Sequence, residues 1–236
     1  MIGKKNQAME ENWLNDEYVR YYNSNYQTSQ EEFSEYLKLL DVNSQDALLD
    51  LGCGNGDFLE TAAPYVKKAI GADISPLQVS LARQRLKPFA NASVICSDFV
   101  GCAQALRRQC RDLPPITAVF SRKSLHHLTD PEKHGLLQSL APLLAEGAKL
   151  YIEDGVFFGF EREHIRENLP QLLEECARYY GEAWELKRGD LLNSFLNEHP
   201  TGVGFWTREL EAIGFKVTGL YPRSSFYGGI SAKKVK

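Results

Sequence analysis

Residues 48–58 read Leu48-Leu49-Asp50-Leu51-Gly52-Cys53-Gly54-Asn55-Gly56-Asp57-Phe58: an apolar run, an acid, then glycines at every second position. Glycine permits a tight strand-to-helix turn and lets backbone come close to a ligand. The spacing is Gly-x-Gly-x-Gly, which differs from the Gly-x-Gly-x-x-Gly of dinucleotide-binding folds. A chain built around this stretch is constrained to a strand, this turn and a helix, with the turn forming one wall of a nucleoside pocket.

The residues that follow alternate strand and helix patterns, the signature of βαβ units and a mostly parallel sheet. Strands are expected over Ala47–Leu51, Ala69–Asp73, Ala92–Cys96, Ile116–Phe120 and Ala148–Glu153. A helix is expected from about Asp57 to Val66. Ser75-Pro76-Leu77-Gln78 opens another, with Ser75 as cap, Pro76 in the first turn and Gln78 completing a capping box. Asp130-Pro131 starts a helix running toward Ala145. From residue 155 to about 200 the alternation gives way to helical spacing, with Leu169, Leu172, Leu173, Cys176, Ala177 and Tyr180 on one face. Asp190 is placed to cap a second helix carrying Leu191, Leu192, Phe195 and Leu196. A helix over Thr207–Ile213 closes at Gly214, and strands over Phe215–Leu220 and Phe226–Ala232 pair as a hairpin.

The 236 residues suit one α/β domain carrying an insertion. A hydrophobic share of 43% supports a packed core, and a net charge of −4 leaves no basic footprint for nonspecific nucleic-acid binding. The five cysteines, Cys53, Cys96, Cys102, Cys110 and Cys176, are odd in number and contain no Cys-x-x-Cys pair. They fit a reducing, cytoplasmic setting better than a disulfide scaffold or a zinc site. Met1–Glu10 is polar, so no signal peptide is expected, and no apolar run approaches the roughly 20 residues that span a bilayer.

The glycine loop resembles the first motif of class I S-adenosylmethionine (SAM) methyltransferases, Asp/Glu-x-Gly-x-Gly-x-Gly, met here by Asp50, Gly52, Gly54 and Gly56. The resemblance has motif support over about residues 45–154 and is one of pattern alone over 203–233. It implies an α/β, Rossmann-like fold: a seven-stranded, mostly parallel sheet with one antiparallel C-terminal strand and helices on both faces. It also implies a division of the single domain into an N-terminal helical lid (1–44), a SAM-binding core (45–154), a helical insertion serving as substrate lid (155–202) and a C-terminal helix and hairpin (203–236). Asp73 stands where a carboxylate takes both ribose hydroxyls, with Ile74 beside the adenine. Asp98 and Phe99 match the acid and apolar neighbour that meet the base. Cys53 lies within the loop, and Ser121 and Arg122 would lie near the methionine part. Leu144-Ala145-Glu146-Gly147 matches the family's Leu-Lys-Pro-Gly-Gly turn loosely. SAM is the expected cofactor and S-adenosylhomocysteine its product.

Ser124-Leu125-His126-His127-Leu128 looks like the Leu-His-His-Leu segment of small-molecule methyltransferases broadly related to quinone-biosynthesis enzymes. Histidine titrates near cellular pH and suits a general base. His126, His127 and, from an N-terminal helix, Tyr22 are therefore the catalytic candidates. Packing or capping is their competing role. Glu153-Asp154 ends the fifth strand on the same edge, and Arg122, Lys123 and Arg223 suit a substrate carboxylate or phosphate. No metal is expected, since the adjacent histidines lack a cysteine or carboxylate at ligand spacing. Trp13, Tyr18, Tyr21, Tyr22 and Tyr26, with Phe157, Phe158, Phe160, Tyr179, Tyr180 and Trp184 of the insertion, are candidates to wall an apolar acceptor pocket.

The leading expectation is a SAM-dependent methyltransferase of a small-molecule acceptor, with no membrane or nucleic-acid partner. A tRNA or protein methyltransferase would favour a basic stripe or an Asn/Asp-Pro-Pro-Tyr/Phe loop, yet Ser121-Arg122-Lys123-Ser124 stands at that place. A non-catalytic binding module would favour a decayed glycine motif, and this one is intact. Oligomeric state and the acceptor atom are not encoded in any of these motifs.

Overall fold

Strand β1 (Ala47–Leu51) is buried along its whole length, as expected of a central parallel strand. In the computed structural model, which describes residues 13–109 and 113–235, it is an inner strand of the main sheet, third of seven. Cys110 and the polar stretch Met1–Glu10 lie outside the described residues. The neighbours of β1 are β2 (Lys68–Asp73) and β4 (Ile116–Arg122), both parallel to it. β3 (Ala92–Cys96) extends one edge. β5 (Leu144–Asp154), then β9 (Gly228–Lys234) and β8 (Phe215–Pro222), extend the other. The seven-stranded order is β3-β2-β1-β4-β5-β9-β8, and β9 runs antiparallel to both its neighbours. This is the expected sheet. The order reverses between β1 and β4, and ligands in such folds bind beyond the carboxyl ends of the strands at that switch point.

The pleat sends alternate residues to opposite faces. Leu49 and Leu51 join a core with Leu106, Leu136 and Trp206, from α5 (Phe99–Gln109), α6 (Asp130–Leu140) and α9 (Val203–Ala212). Leu48 joins the opposite core with Phe33, Tyr36, Leu59 and Val79, from α2 (Gln30–Leu39), α3 (Asp57–Ala62) and α4 (Pro76–Arg85). The second N-terminal helix, α2, therefore packs as part of the sheet's own covering. α1 (Asp16–Asn25) stands over the edge of the glycine loop, where Gln30 and Phe33 from the start of α2 also reach the cavity wall.

Several boundaries differ from the sequence expectation, each for a local reason. The helix after Asp130 ends at Leu140, because Pro142 lies in the short turn Ala141–Leu143 and cannot continue it. β5 then starts early, at Leu144, with Gly147 at φ +75° and a register shift opposite Ile116–Ala118. Gly189-Asp190 reads as a break, but α8 (Trp184–Asn197) runs through it, so Asp190 caps nothing. The preceding helix, α7 (Ile165–Tyr180), closes at Gly181 instead. Two short strands absent from the sequence reading, β6 (Val156–Phe157) and β7 (Thr201–Gly202), pair in parallel and pin both ends of the insertion together.

The insertion has its own core of Phe157, Ile165, Leu172, Cys176, Phe195 and Phe226, against which Phe160, Tyr180 and Trp184 pack. These aromatics bury one another and do not wall the cavities at the strand ends. Their helical spacing reports that internal packing.

Candidate functional site

The glycine loop takes positive φ at all of its glycines: Gly52 at +76°, Gly54 at +52° and Gly56 at +82°. A Cβ on Gly52 would fall 2.4 Å from that of Ser124, and one on Gly56 would crowd Ala82 of α4 at 3.0 Å. A Cβ on Gly54 would meet only Gln78 Nε2, at 3.8 Å. Gly52 and Gly56 thus serve close packing, whereas Gly54 leaves bare backbone facing open space. The Cys53 side chain is buried in the core beneath the loop, close to Gly71, and its amide donates to the Ala72 carbonyl.

That open space is a pair of cavities sharing Tyr22, Gly52, Gly54, Gln78 and Arg122 as common wall. The larger, about 400 Å³, is lined by Asp73, Ile74, Ser97, Asp98 and Phe99 on one side and by Trp13, Lys123, His127 and Leu128 on the other. The smaller, about 320 Å³, reaches Asp50, Asn55, Asp57 and Thr28. Both sizes fall within the range of ligand pockets, roughly 300–1,000 Å³. Asp73 accepts hydrogen bonds from the amides of Gly54 and Ser75, at 2.8 and 2.9 Å. Burial raises its carboxyl above the usual range, and these amides oppose the rise. Burial and the neighbouring Asp73 push Asp50 well up too. Asp98 accepts from the Gly101 amide at 2.6 Å, so it caps α5 while also facing the cavity.

Helix α1 roofs the junction of the cavities. Asn23 and Gln78 exchange hydrogen bonds reciprocally, tying α1 to α4. Tyr22 lines both cavities, stacks on Tyr26 and meets Trp13 edge-on. Its hydroxyl makes no hydrogen bond with the described residues, and burial pushes its pKa to about 12. Tyr26 in turn hydrogen-bonds Asp190 of the insertion and lies under the Lys187 ammonium. The N-terminal helix and the insertion therefore meet at Tyr26, on the same side of the sheet as the glycine loop.

The stretch after β4 divides its polar residues sharply. Ser121 is buried and hydrogen-bonds the Leu51 carbonyl and Ser124, so it faces neither of the two cavities. Arg122 borders both cavities, but its guanidinium is engaged by Tyr36, Glu153, Thr28 and Glu32. Glu153 is 0% exposed and also accepts from Tyr151, Tyr227 and Arg223. A carboxylate so fully donated to organises its surroundings and is held below the usual pKa by them, against the effect of burial. Lys123 differs. It adopts φ +52°, and its ammonium stands 5.9 Å from the Tyr26 ring centroid and 5.8 Å from that of Tyr227. It makes no ion pair with the described residues. Burial, with Arg122 adding to it, lowers its pKa to about 8.

His126 and His127 also part company. Asp154 accepts from the amides of Leu125, His126 and Gly155 and from His126 Nδ1. His126, against the cost of burial, is raised above its usual value by Asp154, whose own pKa falls to about 2. His126 is not part of the cavity wall, whereas His127 is. Burial holds His127 well below its usual value, and its Nδ1 is buried without a hydrogen-bond partner. Of the sequence-predicted site residues, the structure gathers Gly52, Gly54, Asp73, Ile74, Asp98, Phe99, Arg122, Tyr22 and His127 around the larger cavity and Asp50 and the Cys53 backbone at the smaller. The sequence reading missed Gln78 and Asn23 as a cavity clasp. Its local sequence marks Gln78 only as a capping residue, and no local pattern joins it to Asn23.

The sequence profile of the methyltransferase-domain family matches residues 42–212. An uncharacterized methyltransferase of Oceanobacillus iheyensis is 25% identical over 178 residues, covering 72% of this chain and 79% of that protein. An uncharacterized RNA methyltransferase of Protochlamydia amoebophila is 25% identical over 170 residues, but this chain spans only 38% of its length. Among solved structures, magnesium protoporphyrin IX methyltransferase from Synechocystis PCC 6803 with bound SAM superposes with a TM-score of 0.61 at 13% identity, over 98% of this chain and 97% of that one. Among the described residues no helix is long and apolar enough to cross a membrane. With the intact glycine loop, the carboxylate after β2 and the sheet order all in place, the chain belongs to the class I SAM-dependent methyltransferases.

Proposed function

We propose that the protein methylates a small, largely apolar acceptor bound beside SAM in the two joined cavities. The observation that carries this reading is the roof. Helix α1, held by Asn23–Gln78 and joined to the insertion at Tyr26–Asp190, covers the glycine loop and leaves chambers of small-molecule size. A polynucleotide or a folded protein would need that roof removed.

SAM, when bound, supplies a methyl group on a positively charged sulfur, which is already electrophilic. The residues fit it: Gly54 presents backbone without a side chain, Asp73 offers a carboxylate to ribose hydroxyls, and Ile74 and Phe99 offer apolar contact to a base beside Asp98. What remains for the chain is to hold the acceptor in line and keep water out. Such alignment is worth effective molarities of about 10⁵–10⁸ M in well-oriented systems. Tyr22 offers an unpaired hydroxyl at the junction of the cavities. Lys123, with no carboxylate partner among the described residues, suits an anionic group on the acceptor or takes a proton from it. His127 is a neutral imidazole in the wall. Arg122 and Glu153 position these groups and each other.

Calorimetry with SAM tests the first half of this reading. Incubation of the protein with methyl-labelled SAM and a cell extract divided by size tests the second. Label is expected in the low-mass fraction. Label confined to RNA or to protein would overturn the small-molecule assignment while leaving SAM binding intact.

A further inference from the structure

The sequence offers two adjacent histidines and no third ligand near them. The fold supplies one. Glu198, just beyond the end of α8, is brought against the loop after β4, with its Oε2 3.3 Å from His126 Nε2 and its Oε1 3.9 Å from His127 Nδ1. The ligand atoms of the three residues lie within 4.8 Å of one another. We propose that His126, His127 and Glu198 form a divalent transition-metal site of zinc type, which links the insertion to the catalytic core beside the larger cavity.

The donor set is two imidazoles and one carboxylate, which suits zinc with one position left open. Tetrahedral ligands at about 2.0–2.1 Å from zinc stand about 3.3–3.4 Å apart. The His126–Glu198 edge already has that length; His127 Nδ1, 3.9 Å from the other carboxylate oxygen, needs to close by about half an ångström, and the remaining separations, within 4.8 Å, by up to about 1.5 Å through side-chain rotation. His126 and Glu198 are each aimed by further contacts. His126 Nδ1 faces Asp154, which leaves Nε2 for the metal, the arrangement that orients metal-bound histidines generally. Arg162 donates to the carbonyls of Glu198 and Pro200, and the His199 amide donates to the His126 carbonyl at 2.7 Å, so the Glu198 segment is held against the histidines. Asn193 donates to Glu198 Oε1 at 3.3 Å. His127 Nδ1 is a buried donor or acceptor with nothing to bond, a state that costs free energy unless a ligand fills it. The competing arrangement is a protonated His126 bridging Asp154 and Glu198, which needs no metal and leaves His127 unpaired. A tetrahedron would be completed from outside the three residues, by water or by an oxygen or sulfur donor.

Titration of the EDTA-treated full-length protein with Zn²⁺ or Co²⁺ tests the site without reference to methyl transfer. One equivalent is expected to bind, with the visible bands of tetrahedral Co²⁺ and a rise in melting temperature. His127→Ala and Glu198→Gln are each expected to weaken Zn²⁺ binding by 100-fold or more. Asp154→Asn is expected to weaken it by about 10–100-fold, the usual effect of losing a carboxylate behind a metal-bound histidine. Glu198→Gln keeps the shape of the mostly buried Glu198 side chain and remains informative should a histidine variant fail to fold. The absence of stoichiometric binding, or binding unaltered in both His127→Ala and Glu198→Gln, would overturn the proposal.

Discussion

Asn23 and Gln78, 55 residues apart, bond amide to amide in both directions, at 3.0 and 2.9 Å. Asn23 belongs to the roof helix and Gln78 to the first turn of α4, below the cavity rim. The pair is the direct polar tie between α1 and the core beside the glycine loop.

Asn23→Ala is expected to loosen that roof. Gln78 is 2% exposed, and leaving its amide unpaired costs about 1–3 kcal/mol unless α1 lifts and admits water. Hydrogen exchange over residues 16–25 should accelerate, while β1 and β4 stay protected. An unaltered exchange pattern in α1 would show that the pair does not hold the roof.

Gly52 and Gly54 should fail differently. Gly52→Ala meets Ser124 at 2.4 Å and should lower the melting temperature sharply. Gly54→Ala should cost only the left-handed backbone penalty, about 1–2 kcal/mol, yet abolish SAM binding by filling the cradle. Calorimetry together with thermal melts separates the two. Retained SAM affinity in Gly54→Ala would remove that glycine from the site.

Asp73→Asn keeps the shape of the side chain but removes the charge offered to the ribose. A hydrogen bond to a charged group contributes about 1.5–3 kcal/mol, so SAM affinity should fall roughly 10- to 150-fold. Wild-type affinity in this variant would move the ribose elsewhere.

Burial brings the Lys123 ammonium down to a pKa of about 8, below the ordinary lysine value of 10.5. The unfolded chain therefore binds this proton more tightly than the folded one. The cost of burying the charge is full below pH 8 and is relieved as pH rises toward 10.5. Burial is the chief cause; Arg122 and Lys187 push the same way, and Glu32 and Glu153 oppose them. Denaturant melts at steps across this range should show wild type gaining stability relative to Lys123→Met. Parallel curves would mean that Lys123 is solvated like a surface lysine.

Glu153 receives Tyr36, Tyr151, Tyr227, Arg122 and Arg223 at once. Glu153→Ala leaves the buried hydroxyls of Tyr151 and Tyr227 without their acceptor and both guanidiniums dependent on Glu32, and should destabilise the fold by about 1–3 kcal/mol, the scale for buried polar groups left unpaired. A loss under 1 kcal/mol in equilibrium unfolding would show the network to be solvent-screened.

The sequence by itself determined the backbone of this site. The demand for positive φ at Gly52, Gly54 and Gly56, the apolar run of β1 and the acid ending β2 are all read within a few residues of where they act. Such local constraints survive in any tertiary setting, which is why the strands and the glycine loop are legible in the sequence, whereas the order of the strands is not. The tertiary structure decided which polar side chains are left to act. Ser121 and Arg122 look alike as loop polarity, yet Leu51 and Ser124 absorb one while Tyr36, Thr28, Glu32 and Glu153 engage the other. Lys123, one residue on, is spared. Asp190 reads as a cap and instead holds Tyr26. Glu198, which no local pattern singles out, stands against His126 and His127. A buried polar group takes whichever partner the fold brings within about 3 Å, and that partner is often a hundred residues away in the chain.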